Sequence, residues 1–275
     1  MDWSKAKNIL IAIFLLLNIV LLFTNYDTLS SGGSLSKELL ADTGTILESR
    51  GIKLNCRIPA DVTGATLEYE SIQLDKAWIL DKLLDVRLNK DSITEGKEIS
   101  AQNKNLTFKD KGFIYIDKNS TETDSVLNVS DAEELLQKLL KRLNLPVSEF
   151  ALDKQVKNAD NSYILEYNHK YENYLIFDDY IKAVIGNTGV KELEYRFRKV
   201  KSIEKNKGQR LIEAYQVLIE ASDIKDMGIN SIDIGFKKDE SDQDTQNSFD
   251  VLAWRIRLSD GSDKYYNALN GNIMN

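Results

Sequence analysis

The chain has 275 residues, 42% hydrophobic and 29% charged, enough for two ordinary domains and too apolar for a disordered polymer. Its formal charge is −7, and beyond Tyr26 it carries 34 basic against 42 acidic residues, a balance that repels phosphate backbones and argues against nucleic acid as a partner. A single cysteine, Cys56, and a single histidine, His169, exclude an intramolecular disulfide and a His/Cys zinc set.

Ile9 to Phe23 reads ILIAIFLLLNIVLLF, without a charge. At 1.5 Å per residue this run spans about 22 Å, short of a hydrocarbon core of about 30 Å. Flanking residues out to the interfacial aromatics Trp3 and Tyr26 extend it far enough to cross. Lys5 and Lys7 precede the run and Asp27 follows it, which places the N-terminus in the cytoplasm and the rest outside. A cleaved signal peptide is the alternative, but Phe23-Thr24-Asn25-Tyr26-Asp27 contains no small-x-small cleavage site. Residues 1–6 are thus expected in the cytoplasm, 7–26 as a single transmembrane helix and 27–36 as a flexible linker rich in Ser and Gly. Asn18 falls near the membrane midplane, with Phe14, Leu15, Leu21 and Leu22 at helical spacings of three and four and Ile11 continuing the stripe. Its carboxamide needs a partner in hydrocarbon, either a local carbonyl or another helix; the second option makes this stripe a candidate docking face.

After the linker, Leu35, Leu39, Leu40, Ile46 and Leu47 predict an amphipathic helix stopped by Gly51. Ile52–Ile58 and Ala65–Ile72 read as strands. Asp75–Leu88 reads as a helix with an apolar face of Trp78, Ile79, Leu83 and Val86. Leu106–Phe108 and Phe113–Ile116, separated by Lys-Asp-Lys-Gly, predict a hairpin. Polar residues Asp117–Ser125 mark an internal boundary, giving extracytoplasmic units at 37–123 and 124–275. The second opens with a helix whose capping box is Ser130 and Glu133 and whose buried stripe is Leu135, Leu136, Leu139, Leu140 and Leu143. Strand-like runs follow at 163–167, 174–177, 181–185 and 190–197, with a turn at Gly186-Asn187-Thr188-Gly189. A helix built on Leu211, Ile212, Tyr215, Leu218 and Ile219 precedes strands at 231–236, 251–258 and 264–269. Helices alternating with hairpin-linked strands predict two small α+β domains of antiparallel sheet packed with helices, in similar order in the two halves.

No phosphate-binding loop, zinc-protease motif or nucleophile–base pair is present, so no catalytic residue, metal ligand or cofactor site is assigned. Asp239–Asp250 is rich in carboxylates but lacks the turn glycine and closing glutamate of a calcium loop, and reads as a solvated hairpin. Asp178-Asp179 reads as a strand-end turn, since neighbours on a strand face opposite ways. Cys56 reads as a small buried hydrophobe.

The opening Met1-Asp2-Trp3-Ser4-Lys5-Ala6-Lys7, set directly against the apolar helix, resembles the start of YycI-type proteins. Ala253-Trp254-Arg255-Ile256, an Asp-Gly turn, and Tyr265-Tyr266-Asn267-Ala268-Leu269-Asn270-Gly271-Asn272-Ile273 resemble that family's ending and the closing strands of PepSY-like modules. Tyr174–Tyr195, with Phe-Asp-Asp and Gly-x-x-Gly-Val, fits its central sheet. The resemblance implies a non-enzymatic, membrane-anchored accessory regulator of the sensor histidine kinase of the Wal (Yyc) two-component system, which governs cell-wall metabolism in Gram-positive bacteria. It implies as partners the kinase and a second anchored accessory protein of YycH type. A different reading, from the PepSY-like ending, is an anchored inhibitor or chaperone of a secreted hydrolase.

Overall fold

Four helices pack on one large sheet in a computed structural model that describes Phe14, Asn18 and residues 37–60, 62–71, 73–89, 92–119, 128–239 and 250–274. Among the described residues the helices beyond the helical Phe14 and Asn18 are α1 (Lys37–Ser49), α2 (Lys76–Leu84), α3 (Val129–Arg142) and α4 (Ala214–Glu220). The strands are β1 (Lys53–Leu54), β2 (Gly64–Tyr69), β3 (Glu98–Ala101), β4 (Lys104–Lys109), β5 (Gly112–Asp117), β6 (Phe150–Lys157) and β7 (Tyr163–Tyr171), then β8 (Tyr174–Gly186), β9 (Gly189–Arg196), β10 (Val200–Asn206), β11 (Gly228–Lys238), β12 (Asp250–Leu258), β13 (Asp263–Asn267) and β14 (Ile273–Met274). The architecture is mixed α+β with mostly antiparallel pairing, as the alternation of helical and hairpin patterns predicts.

Among the described residues twelve strands form one sheet, in the order β14-β13-β12-β11-β8-β9-β5-β4-β3, with β1 beside β11 and β6-β7 beside β8. β2 and β10 make a separate antiparallel pair. The long strand β8 organises the molecule. One of its edges carries β7 along nearly its whole length. The other is shared: β9 takes Tyr180–Gly186, antiparallel, and β11 takes Leu175 and Ile176, parallel. The sheet therefore forks at the middle of β8. α2 and α3 cover one arm, burying Ile79, Leu83, Leu136 and Leu140 against Leu106, Phe113 and Leu193. α1 and α4 cover the other, with Leu47, Val217 and Leu218 against Trp254, Ile256 and Phe236. Both cores draw residues from either side of position 123, and β5 pairs with β9 across the polar segment 117–125.

Close approach at the fork depends on Gly235, which faces Leu175 in the parallel pair. A Cβ there would stand 2.4 Å from the Leu175 carbonyl oxygen and 2.7 Å from the Phe177 ring, so any side chain pushes β11 off β8. Arg50, just past α1, donates to the carbonyls of Leu218, Ile219, Ala221 and Ile224. One guanidinium thus satisfies the orphan carbonyls at the end of α4 and fixes α1 against it.

Several boundaries differ from expectation for identifiable reasons. α2 stops at Leu84 rather than Leu88, because Asp85 turns left-handed (φ 55°) and returns its N–H to the Asp81 carbonyl. Its buried face is Ile79, Leu80, Leu83 and Leu84, whereas Trp78 is 43% exposed. α3 begins two residues early: Asn128, extended in backbone, accepts from the Asp131 N–H at 2.9 Å and replaces the capping box at Ser130. The runs 174–177 and 181–185 are one strand, β8, passing straight through Asp178-Asp179. β3, β6 and β10 were not expected, being short or polar strands of low burial.

Candidate functional site

The candidate docking stripe lies mostly outside the described residues: Ile11, Leu15, Leu21 and Leu22 are not among them, nor is most of the expected span 7–26. Phe14 and Asn18 are described. Both are helical, Phe14 is 64% exposed, and the Asn18 side-chain Nδ2 donates to the Phe14 carbonyl at 2.9 Å. That is the local bond open to a carboxamide on an apolar helix. Among the described residues no helix is long and apolar enough to cross a membrane.

Asp178-Asp179, expected as a strand-end turn, instead lie inside β8 and belong to a charged cluster at the fork. Between the pairs His169–Ile176 and Asn168–Tyr180, β8 has three extra residues, Phe177, Asp178 and Asp179. This bulge sends the two carboxylates in different directions. Asp178 accepts from the Lys238 N–H at 2.7 Å, tying β8 to β11. Asp179 is completely buried and accepts from Arg198 Nε at 2.8 Å and from the Arg198 backbone N–H at 3.2 Å. Arg198 also donates Nη1 to Asp250 Oδ1 at 3.0 Å, and Asp250 accepts from the Tyr69 hydroxyl. The guanidinium carbon stands 4.4 Å over the Tyr69 ring. Burial, then the Asp250 charge, pushes the Tyr69 phenol far above its ordinary range, so it remains a donor. His169 is fully buried behind Asp179; its Nδ1 is 3.5 Å from Asp179 and its Nε2 3.5 Å from Glu149. Its ring packs against Phe197 and Phe150.

A second cluster joins β6 to β12. Arg255, 2% exposed, clasps Asp153 through Nη1 and Nη2 at 2.9 and 2.7 Å and reaches Asp233 at 2.9 Å. Arg257 donates to the same Asp153 carboxylate and to Asp263. Arg255 also lies 5.0 Å over the Phe177 ring, so the Phe-Asp-Asp and Ala-Trp-Arg-Ile segments meet in space. Burial alone raises the Asp153 carboxyl, but hydrogen bonds from the two arginines hold it below its usual value. A carboxylate lowered on folding stabilises the protein above its unfolded pKa of about 3.9, and that stabilisation is lost as pH falls through the lower folded value. The clasp is therefore intact at neutral pH.

These arrangements hold strands together; neither presents a nucleophile beside a base. Cys56 packs partly buried against the second core, and burial followed by the Asp233 charge pushes its thiol up, away from thiolate reactivity. Residues 240–249 of the acidic loop lie outside the described residues, while at its ends Asp250 pairs with Arg198 and Asp239 accepts from Asn267. The sequence carries no clear signal for the fork, because Tyr174-Leu175-Ile176-Phe177 is apolar throughout; in the folded strand the buried positions run 174, 176 and then 177, 179, 181, 183 and 185, a change of parity that puts Asp179 on the buried side of the bulge.

The model of one family, described as YycI protein, matches residues 33–269. The matched span contains both cores, the fork and the Arg255 clasp, and begins beyond Asn18. No curated protein matches the chain.

Proposed function

Because the chain belongs to the YycI protein family, we propose that it is a non-enzymatic accessory regulator of the sensor histidine kinase in the Wal (Yyc) two-component system. The observation that carries this reading is the family match across 237 residues from 33 to 269. The partners in this reading are the kinase and a second anchored accessory protein of YycH type. The chain is a single-pass membrane protein with its N-terminus in the cytoplasm, supported by the Lys5/Lys7 asymmetry and the uncharged run Ile9–Phe23. A reporter fused after Asn275 should then be active only when it is one that works outside the cytoplasm. Activity from a cytoplasm-only reporter, or recovery of a soluble form beginning after Tyr26, would overturn that topology.

The regulatory contact is the helix itself, through Ile11, Phe14, Leu15, Asn18, Leu21 and Leu22. Lipid tails are as apolar as leucine, so helices in a membrane associate through packing and polar contacts. The bond from Asn18 to the Phe14 carbonyl uses one amide hydrogen. A carboxamide has a second hydrogen and a carbonyl oxygen with two lone pairs, which remain for a facing helix. Interhelical hydrogen bonds of this kind contribute about 0.6 kcal/mol on average and up to about 1.7. Asn18→Leu should therefore weaken association with the kinase transmembrane segment about three-fold, measured by a two-hybrid assay in membranes. Unchanged association would assign the contact to packing of the apolar stripe alone and remove Asn18 from it.

A further inference from the structure

Two clefts meet at the C-terminal end of α3. One, of about 810 Å³, lies between α2, the turn after α3 and the end of β9, with Leu74, Trp78, Pro146 and Phe197 in its walls. The other, of about 520 Å³, lies between α3, the β4–β5 strands and the β8–β9 turn, and carries Lys104 and Lys138. Arg142 lines both.

The rim between them is firmly built. α3 ends in a Schellman turn: the Leu145 N–H bonds to the Leu140 carbonyl, the Asn144 N–H to the Lys141 carbonyl, and Asn144 takes the left-handed conformation (φ 56°). Leu145 and Leu143 are buried beneath it, so Lys141 and Arg142 are presented on a fixed backbone. Lys138 pairs with Glu134 and Lys104 with Asp117, but Lys141 and Arg142 make no salt bridge among the described residues. The two clefts are lined by Lys104, Lys138, Lys141, Arg142 and Lys199 against the carboxylates of Asp75, Asp117 and Glu149, a net positive lining in a chain of net charge −7, and Lys82 lies 4.4 Å over the Trp78 ring. The floor of the larger cleft includes Tyr195, which is 1% exposed and whose hydroxyl is buried without a hydrogen-bond partner. Trp and Arg in one concave patch are also among the residues that dominate binding energy at protein interfaces.

We propose that this groove docks an extended, acidic polypeptide segment of another protein. A bulky apolar side chain of that segment would lie against Trp78, Pro146 and Phe197, with flanking carboxylates on Arg142 and Lys141. The apolar walls favour such a segment over an anionic polymer of sugars or phosphates, which would use the cations and leave the aromatic surface wet. The inference is independent of the kinase reading, which rests on the membrane helix and the family match.

The test uses the full chain in lipid nanodiscs and a fluorescein-labelled probe, the peptide Glu-Glu-Leu-Phe-Glu-Glu, read by fluorescence polarisation. Comparison peptides replace the four Glu by Lys, or Leu-Phe by Ser-Ser, and poly(glycerol phosphate) is offered as competitor. Saturable binding is expected for the acidic apolar peptide alone. Arg142→Glu and Trp78→Ser should each weaken it at least ten-fold, and Lys53→Glu on β1 should leave it unchanged. Both groove positions are exposed, so the variants should keep the native circular dichroism spectrum. Absence of saturable binding, equal binding of the lysine or serine peptides, or full displacement by poly(glycerol phosphate) would each overturn the proposal.

Discussion

Arg198→Met should lower the unfolding free energy by about 3–5 kcal/mol, the cost of removing one partner from a buried ion pair. In a folded region of this size that corresponds to a fall of about 10 °C in the melting midpoint. The cation lies between Asp179, 0% exposed, and Asp250, whose side chain is 2% exposed, so one substitution strands two buried carboxylates. What remains is insufficient: Asp179 keeps a backbone N–H at 3.2 Å, and Asp250 keeps the Tyr69 hydroxyl. The loss follows from the sign and burial of the abandoned groups, since a methionine replaces most of the stem's volume. Arg198→Met combined with Asp179→Asn should therefore recover part of the loss, because the second change removes a charge that has lost its partner. Urea and thermal unfolding of residues 37–275 produced without the N-terminal helix measure both variants. A loss below about 1 kcal/mol would mean that the fork is as well solvated as an ordinary surface pair.

Periodicity made the helices and the long apolar strands legible. Leu136, Leu140 and Leu143 specify the inner face of α3, and Val251–Leu258 lies within β12. Local chemistry moved the boundaries: Asn128 is a better-placed cap than Ser130, and Asp85 adopts a left-handed turn that no count of apolar residues registers. β6 and β10 escaped notice because FALDKQVK and VKSIEKN are polar and sparsely buried, so strand alternation has little apolar signal in them. The fork was not legible: Tyr174–Phe177 is apolar throughout, so the change of inward parity at Ile176–Phe177 shows only in the folded strand, and the partner of Asp179, Arg198, 19 residues on, with the Asp250 that Arg198 also holds, 52 residues further, comes only from the sheet order. The groove was not legible at all, because its walls come from residues 73–79, 141–149 and 195–199, which no local pattern connects.

Replacing the proposed membrane helix should have the largest functional effect of any change considered. If Ile11, Phe14, Leu15, Asn18, Leu21 and Leu22 form the face that biases the kinase, an unrelated anchor of equal length preserves topology and local concentration but removes every contact of that stripe. Asn18→Leu alters one polar contact and should cost only a few-fold, whereas the swap deletes the whole interface and should abolish control. In the proposed topology the sheets lie outside the cytoplasm, and, intact in the swapped chain, they would still bind the proposed accessory partner and fix orientation. The direct measurement is kinase-dependent reporter expression in cells lacking this chain and supplied with either the native protein or the swapped one at equal membrane abundance. Native protein should restore normal reporter output while the swapped chain leaves it as in the deletion; normal output from the swapped chain would contradict the account and place the signal on the extracytoplasmic surface.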